Sequence, residues 1–292
     1  MTQNSARKEK PFLYWITLGI IFASFFAIAS LSGCAVHEEG ADALSSDIHT
    51  NPQACSNQLV GSHRSASGAL DSEDIHLVNW NIQKGGNSTW TTDLATSENG
   101  PDLMILQEVP LNSSAWDSVS ADRYHAFSPG YRTSKSLTGV MTISAMKPLT
   151  QCNFVSVEPW LRSAKATVIT EYGLTDTDQT LLVANLHALN FTFGLRDFHE
   201  QIRRVQSVMI HHSGPILLSG DFNTWHWRRS RIVNKMTDSL GLKVVSYDED
   251  HRKRFLGQPL DHIYIRGLEV VQATTRDVDS SDHNPMSARF RL

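Results

Sequence analysis

The sequence predicts a layered α/β domain in which helices cover packed β-sheets, and three observations support that prediction. The chain has 292 residues, of which 40% are hydrophobic, enough for one large domain with a substantial core. From residue 74 onward, short apolar runs rich in Val, Ile, Leu and Thr alternate with turn residues, as β-strands do. At least two stretches between those runs have the apolar spacing of helices.

Nine apolar runs are predicted strands because each is short and bounded by turn residues. In chain order they cover residues 75–82, 103–109, 139–144, 166–170, 181–187, 216–219, 244–247, 260–265 and 287–292.

Two helices are predicted between the strands. In the first, apolar residues recur at helical spacing from Phe198 to Met209, and Pro215 then excludes a continuing helix. In the second, apolar residues recur every four positions from Ile232 to Leu240, and Gly241 stands at the expected end.

The N-terminal segment predicts export and membrane attachment. Residues 12–33 contain no charged residue, and three basic residues precede them. The run ends Leu-Ser-Gly-Cys34, which resembles a bacterial lipoprotein signal with Cys34 acylated and residues 1–33 removed. The alternative is an uncleaved transmembrane helix, since 22 uncharged residues can span a bilayer of roughly 30 Å. Both interpretations place the rest of the chain outside the cytoplasm, on a periplasmic or outer-membrane face.

Residues 34–73 are predicted to be a flexible tether, and residues 74–292 the catalytic domain. The tether is rich in Ser, Ala, Gly, Asp and His and has few large apolar residues to bury. Export would allow a disulfide between Cys55 and Cys152, but two cysteines are no disulfide scaffold, and the sequence leaves the bridge open.

Polar and ionisable residues stand where several predicted strands end. The set comprises carboxylates, amides and imidazoles without a cysteine: Asn81, Glu108, His187, Asp221, Asn223, Asp261, Asp282 and His283. Taken singly, each could be a turn, surface or core residue, but together they predict a site because ligands gather outside strand ends. Oxygen-rich ligand sets suit Mg²⁺, with Mn²⁺ or Ca²⁺ as possible substitutes, better than Zn²⁺.

The motifs VNWNIQ, ILQEV, GVMTIS, ANLHA, SGDFN, LDHIYIRG and SSDHNPM run in order through residues 76–290. This ordered set resembles the endonuclease/exonuclease/phosphatase superfamily, which implies a four-layered α/β sandwich of two mixed sheets flanked by helices. NIQKG, HALNF, HHSGP and HRKRFLGQPLD resemble most the YafD-like bacterial branch. The resemblance further implies hydrolysis of a phosphoester by in-line attack of water.

Roles for the site residues follow from the resemblance. Asn81 and Glu108 look like the principal Mg²⁺ ligands, with Asp282 beside the metal. Asp221 and Asn223 would orient water and bind the scissile phosphate. His283 would exchange a proton while Asp261 holds its tautomer, and His187 would donate a proton to the leaving oxygen. Glu158 looks like the carboxylate that orients His187.

The substrate prediction rests on two basic clusters. Residues 225–231 carry two tryptophans and three arginines, and residues 251–254 carry a histidine, two arginines and a lysine. Arg228, Arg252 and Trp225 are therefore predicted to bind substrate, by pairing with phosphates or stacking on bases. A solvated helix with ordinary surface charge is nearly as good an explanation for Arg229 and Arg231. The chain as a whole has a net charge of −4, which gives no general attraction for nucleic acid.

Three functions remain open from the sequence. A monomeric, membrane-tethered nuclease that hydrolyses DNA is the leading hypothesis. A phospholipid or sphingomyelin phosphodiesterase, or a phosphoinositide-type phosphatase, is the enzyme alternative, since Trp225, Trp227 and Phe191 could contact a membrane. An inactive binding module of the same fold is the third.

Overall fold

Two six-stranded mixed sheets pack face to face and carry helices on their outer sides. The computed structural model describes residues 50–61, 68–95, 100–116, 122–133 and 136–292. The first sheet has the strand order β13-β14-β1-β2-β4-β3, and the second has the order β5-β6-β7-β8-β12-β9. This is the predicted four-layered α/β sandwich.

The elements follow one another in this order: α1 Pro52–Gln58, β1 Ile75–Asn81, a 3-10 turn Gln83–Gly85, α2 Trp90–Ala95, β2 Leu103–Pro110, β3 Tyr124–Arg132, β4 Leu137–Ser144, β5 Thr150–Val157, β6 Ala164–Gly173, β7 Thr180–His187, α3 Arg196–Met209, β8 Ile216–Asp221, α4 Trp227–Leu240, β9 Lys243–Val244, β10 Arg254–Phe255, β11 Gln258–Pro259, β12 Asp261–Arg266, β13 Glu269–Thr275 and β14 Met286–Arg291. Strands β10 and β11 form a separate two-stranded hairpin.

Alternating residues of the same strand bury against different layers, because successive side chains of a strand point to opposite faces. In β7, Leu181 and Val183 pack between the sheets, while Leu182 and Leu186 pack under α3 and α4. A third apolar cluster covers the outer side of the first sheet beneath α2. Strands buried on both faces read as continuous apolar runs, which is why β7 and β8 were predictable.

Five strands were not predicted: β3, β5, β13 and the two-residue strands β10 and β11. Strand β13 is mostly exposed, so its sequence lacks a continuous apolar run. Strands β3 and β5 lie at sheet edges and combine a short buried stretch with exposed or half-buried positions, and β3 also contains Pro129 and Gly130. Edge strands tolerate such residues because one side needs no partner.

Part of the segment predicted to be a flexible tether packs on the domain, which corrects that prediction for its described residues. Helix α1 lies against α3, and Cys55 forms a disulfide with Cys152 of β5. Downstream, the buried carboxylate of Glu171 accepts hydrogen bonds at 2.7 Å from the backbone N–H groups of Val60 and Gly61. The bridge closes a loop of about 100 residues, for which chain-entropy arguments give on the order of 4–5 kcal/mol.

The predicted signal or anchor, residues 1–33, and the predicted lipidation site Cys34 lie outside the described residues. Within the described ranges, no helix combines the length and apolar character needed to cross a bilayer.

Gly220 is required by the close approach of β8 to β7. Its φ is +148°, and a Cβ atom there would lie 1.9 Å from the carbonyl oxygen of Leu186. Only glycine fits this contact, which fixes the backbone immediately before Asp221.

We therefore expect Gly220→Ala to lower the free energy of unfolding by about 3 kcal/mol, because the added methyl must displace backbone rather than a flexible side chain. Urea denaturation followed by circular dichroism measures this. The control is Gly86→Ala, since Gly86 has a helical φ of −63° and its Cβ would lie 3.4 Å from the nearest atom. Equal stability of the two variants would show that position 220 does not require glycine.

Candidate active site

Both sheets contribute strand ends to one cluster of polar side chains. In the first sheet, Asn81 at the end of β1 pairs with Gln107, the residue before Glu108. In the second sheet, Asp221 at the end of β8 lies opposite both His187 of β7 and Asp261 of β12. Strand register alone therefore brings most of the predicted site together.

The carboxylate of Asp221 lies at the centre of this cluster. Asn81 donates a hydrogen bond from Nδ2 to Asp221 Oδ2 at 3.1 Å, which links the two sheets directly. The same oxygen lies 3.5 Å from His187 Nε2 and 3.8 Å from His283 Nε2. Asp221 is buried, and burial raises its pKa while His283 opposes that shift.

His283 forms a close pair with Asp261, as predicted. Nδ1 of His283 lies 2.7 Å from Asp261 Oδ2, and Trp80 donates its indole hydrogen to the backbone carbonyl of His283. Burial opposes protonation of the imidazole, but Asp261 and Asp221 outweigh burial and raise its pKa to about 10. At neutral pH His283 is therefore an imidazolium between two carboxylates.

His187, unlike His283, is neutral, because it contacts a lysine that the sequence motifs did not identify. Lys165 Nζ lies 2.8 Å from His187 Nε2, and the lysine side chain is buried except for 14% of its surface. Since an ammonium only donates, Nε2 accepts and the imidazole is neutral. Burial, followed by the charge of Lys165, holds the pKa of His187 well below its usual range.

Glu108 lies in a cationic environment at the edge of the cluster. Its carboxylate is 3.7 Å from both Lys84 and Lys165 and 3.9 Å from His187 Nε2. These distances exceed hydrogen-bond length, so the oxygens of Glu108 are free to take a metal ion. Its backbone φ of +54° is uncommon for a non-glycine residue, and Glu108 lies within a register shift between β2 and β4.

The residues present fit a hard divalent cation. Glu108 and the amide oxygen of Asn81 are the oxygen donors that Mg²⁺ prefers, and Asp282 is an exposed carboxylate next in sequence to His283. Asp221, Asp261 and His283 also offer ligand atoms within 4.8 Å of one another. Within that group, His283 and Asp261 are already joined by their hydrogen bond.

Asn223 shapes the loop after β8. Its backbone N–H bonds to Asp221 Oδ1 at 2.9 Å, and its side-chain Nδ2 donates to the carbonyl of Ala188 at 3.0 Å. The positive φ of 49° at this residue suits asparagine better than most residues. Asn223 therefore lies beside Asp221, as predicted, and also ties together the loops that follow β7 and β8.

The predicted contact between Glu158 and His187 is not formed. The buried Glu158 carboxylate accepts hydrogen bonds from the backbone N–H groups of Asn190 and Phe191, at 2.9 and 3.1 Å. Glu158 thus orients the loop after His187 rather than the imidazole. The sequence could not show this, because 29 residues of unknown path separate the two side chains.

The predicted substrate-binding residues differ in their exposure and in the hydrogen bonds that their side chains form. Arg228 is exposed on the first turn of α4. Trp225 is half-buried and donates its indole hydrogen to Asn190 Oδ1 at 3.0 Å. Arg252 forms a bidentate ion pair with Asp250 and donates a hydrogen bond to the backbone carbonyl of Asp261. Its guanidinium therefore supports the backbone of the site.

Two further residue groups were missed. Buried amides join the sheets above the cluster, where Gln107 donates to both Asn79 and Asn185, and Asn185 donates to the carbonyl of Leu106. Arg229 is buried and donates to the carbonyls of Leu189 and Asn190, although its sequence context suggested a surface position. A polar amide among the apolar residues of β7 is a sequence signal that could have revealed Asn185.

The fold and the site define a class: an α/β sandwich hydrolase whose two sheets jointly present carboxylates, amides and imidazoles. A sequence model of the Endonuclease/Exonuclease/phosphatase family matches residues 78–283. The chain belongs to that family, whose members are hydrolases acting on phosphoester bonds and are typically dependent on divalent metals.

The chain is also similar to named relatives. A UPF0294 protein of Vibrio vulnificus strain YJ016 is 35% identical over 247 residues, which cover 81% of this chain and 84% of that one. A UPF0294 protein of Vibrio cholerae strain O395 is 34% identical over 232 residues, 76% of this chain and 79% of that one. The predicted placement in the YafD-like branch stays a prediction.

Solved structures share the fold at low identity. The human Nocturnin catalytic domain is 16% identical and superposes with a TM-score of 0.58, covering 76% of this chain and 95% of that one. A Bacteroides thetaiotaomicron mannosyl-6-phosphatase is 12% identical with a TM-score of 0.55, covering 75% of this chain and 100% of that one. ANGEL2, a 2',3'-cyclic phosphatase, is 15% identical with a TM-score of 0.54, covering 75% and 96%.

Lys165 should control the protonation of His187. We expect Lys165→Met to raise the pKa of His187, yet leave it below the ordinary histidine value, because burial is the larger cause of the depression. NMR titration of the metal-free protein measures this shift. Lys147→Met removes an exposed lysine distant in sequence from the site and should leave the titration unchanged. An unchanged His187 pKa in Lys165→Met would show that the contact is not formed in solution.

Proposed function

We propose that the chain is a Mg²⁺-dependent hydrolase that cleaves a phosphodiester by in-line attack of water. The observation that carries the proposal is the position of Asp221, which contacts Asn81 of the other sheet and faces both imidazoles. Mn²⁺ or Ca²⁺ could substitute for Mg²⁺, since all three accept oxygen ligands.

Asn81, Glu108 and Asp282 would hold the metal. Bound there, the ion would stabilise negative charge on the phosphoryl oxygens as a Lewis acid. Asn81 also bonds to Asp221, so the residue that holds the metal positions the carboxylate that faces the substrate.

The charge states of the side chains suggest how protons move. Asp221, whose burial raises its pKa, is suited to accept the proton of the attacking water, and Asn223 fixes its orientation. The imidazolium of His283 lies next to Asp221 and would donate its own proton to the leaving oxygen, and the proton that Asp221 takes from water would then pass to His283. Lys165 would supply positive charge beside His187, the residue that the sequence predicts to donate a proton to the leaving oxygen.

Nucleic acid, and DNA in particular, is the first candidate substrate. Its support is Trp227, which is exposed and lies between Arg228 and Arg231, whose guanidinium carbons are 5.3 and 4.6 Å from its ring. Such a unit can stack on a base and pair with phosphates. The second basic cluster gives less support, because Arg252 and Arg254 pair with Asp250, and Lys253 pairs with Asp277.

Phospholipid is the second candidate, favoured by exposed aromatic and aliphatic side chains beside the site. More than half of the surface is exposed in each of four such side chains: Phe191, Phe193, Trp160 and Leu161.

We further propose that Cys34 or the apolar segment before it tethers the domain to an exported membrane face. Globomycin-sensitive processing and loss of acylation in Cys34→Ser would distinguish the lipoprotein from an uncleaved helix.

Loss of the metal ligand should remove activity without unfolding the domain. We expect Glu108→Gln to lower kcat by roughly 100-fold or more, because the amide keeps the shape of the side chain but binds the ion weakly. EDTA should abolish wild-type turnover, and Mg²⁺ should restore it. The matched control Glu249→Gln replaces a mostly exposed carboxylate and should retain wild-type kcat. Full wild-type activity in excess EDTA would exclude metal dependence.

A substrate panel separates the remaining alternatives. The full chain with Mg²⁺ is incubated with plasmid DNA, RNA, sphingomyelin, phosphatidylglycerol, phosphoinositides and bis(p-nitrophenyl) phosphate, and the products are resolved by chromatography. Cleavage of nucleic acid alone supports a nuclease, and cleavage of lipid alone supports a phospholipase-type enzyme. Hydrolysis of none of them, by folded protein with Mg²⁺ present, would contradict the proposed chemistry and favour a binding module.

A further inference from the structure

Four loops form one margin beside the candidate active site. They comprise residues 159–163, 189–196, 225–231 and 254–259, and we call them the rim. The second and third follow β7 and β8, whose last residues are His187 and Asp221, and the fourth precedes β12, which begins at Asp261. The first precedes β6, which runs antiparallel to β7. All four therefore lie at the edge of the second sheet that carries these side chains.

The rim concentrates exposed apolar surface. Seven large apolar side chains in its 26 residues are 49–73% exposed: Trp160, Leu161, Phe191, Phe193, Trp227, Phe255 and Leu256. The rest of the described chain, about eight times longer, has only eleven exposed large apolar side chains. Clustered exposure of this kind marks a contact surface, whereas single exposed apolar residues need no explanation.

Buried charged groups hold the loops of the rim in place. Glu158 binds the backbone N–H groups of Asn190 and Phe191, and Arg229 binds the carbonyls of Leu189 and Asn190. Both charged residues are at most 2% exposed. These contacts give the apolar side chains a fixed platform.

Ring contacts connect the loops to one another. Trp160 of the first loop lies against Phe193 of the second, with ring centroids 4.0 Å apart. Trp225 of the third loop donates to Asn190 and lies 6.3 Å from Phe255 of the hairpin. The exposed side chains therefore belong to one connected surface.

The charge of the rim is opposite to that of the whole chain. Its 26 residues contain six arginines and no Asp or Glu, whereas the chain has a net charge of −4. Arg229 is buried and Arg254 pairs with Asp250. Arg162, Arg196, Arg228 and Arg231 remain exposed among the apolar side chains. Arginine beside aromatic and aliphatic residues is the composition of surfaces that bind anionic lipid.

We propose that the rim docks on the surface of an anionic phospholipid bilayer, with its apolar side chains inserted at the headgroup boundary and its arginines paired with lipid phosphates. The length of chain before the fold agrees with this: the 16 residues between Cys34 and Asn51, where α1 is capped, span at most about 60 Å. A domain tethered at Cys34 would therefore remain within reach of the bilayer.

The docked orientation also indicates a substrate class, and this step rests on the proposed function. With the rim on the bilayer, the strand ends that carry His187 and Asp221 face the headgroup layer. The phosphodiester delivered to them would then be that of a phospholipid. A nucleic acid would have to enter from the side of the first sheet.

Depth-dependent fluorescence quenching of the full chain tests the docking without requiring turnover. The protein is reconstituted in vesicles of phosphatidylcholine, with or without phosphatidylglycerol, whose acyl chains carry bromine. The difference in quenching between wild type and the double variant W160F/W227F reports these two side chains and removes the contribution of Trp15 in the N-terminal segment. We expect a clear difference that increases with phosphatidylglycerol.

The variant Phe193→Asp/Leu256→Asp places two carboxylates in the rim and should reduce the quenching to the level of W160F/W227F. Val271→Asp is the matched control, because Val271 is 57% exposed on β13 of the other sheet, and it should keep wild-type quenching. Circular dichroism checks that each variant is folded. Equal quenching in wild type and W160F/W227F would overturn the proposal.

Two further measurements keep the docking separate from the catalysis. Glu108→Gln should dock like wild type, so docking by an inactive variant would leave this inference standing even if the proposed chemistry failed. If single-stranded DNA, rather than bromolipid, changes the fluorescence of Trp160 and Trp227, the rim is a nucleic-acid surface and the lipid proposal is wrong.

Discussion

The hydrogen bond between Asn81 and Asp221 is the contact on which the site depends, because it joins the two sheets at the point where their strand ends meet. A buried carboxylate is costly unless it is paired or hydrogen-bonded. Asp221 meets that requirement through Asn81, the backbone of Asn223 and the charge of His283. Its position is therefore specified from both sheets, and a shift of either sheet would break its hydrogen bond to Asn81.

The buried amides next to this contact also join the two sheets. Gln107 donates to Asn79 and Asn185, and Asn185 donates to carbonyls of β2 and β4. Apolar packing between sheets tolerates small displacements, whereas hydrogen bonds between buried amides do not, because an unpaired amide in the core is unfavourable. The network thus fixes the relative register of the sheets next to Glu108, whose proposed metal-binding role requires a defined distance to Asn81.

Continuous apolar runs ending in polar residues made most of the second sheet and the strand-end residues predictable. Their roles depended on the ordered motifs, which led to the correct family and fold. Lys165 could not be found this way: it lies near the start of β6, and only the pairing of β6 with β7 brings it to His187. Glu158 and Arg229 were misjudged because their partners are backbone groups of the loop 189–191, and a sequence does not show where such groups point.

The same two buried charges relate the candidate active site to the rim. Glu158 and Arg229 both hold the loop after His187, one through its N–H groups and the other through its carbonyls. Arg229 also lies over the rings of Phe198 and Trp225, at 4.5 and 4.9 Å, and so joins this loop to α3 and to the loop after β8. A force on the exposed side chains of the rim would be transmitted to the backbone next to His187. Glu158 and Arg229 therefore connect the exposed side chains of the rim structurally to the backbone next to His187.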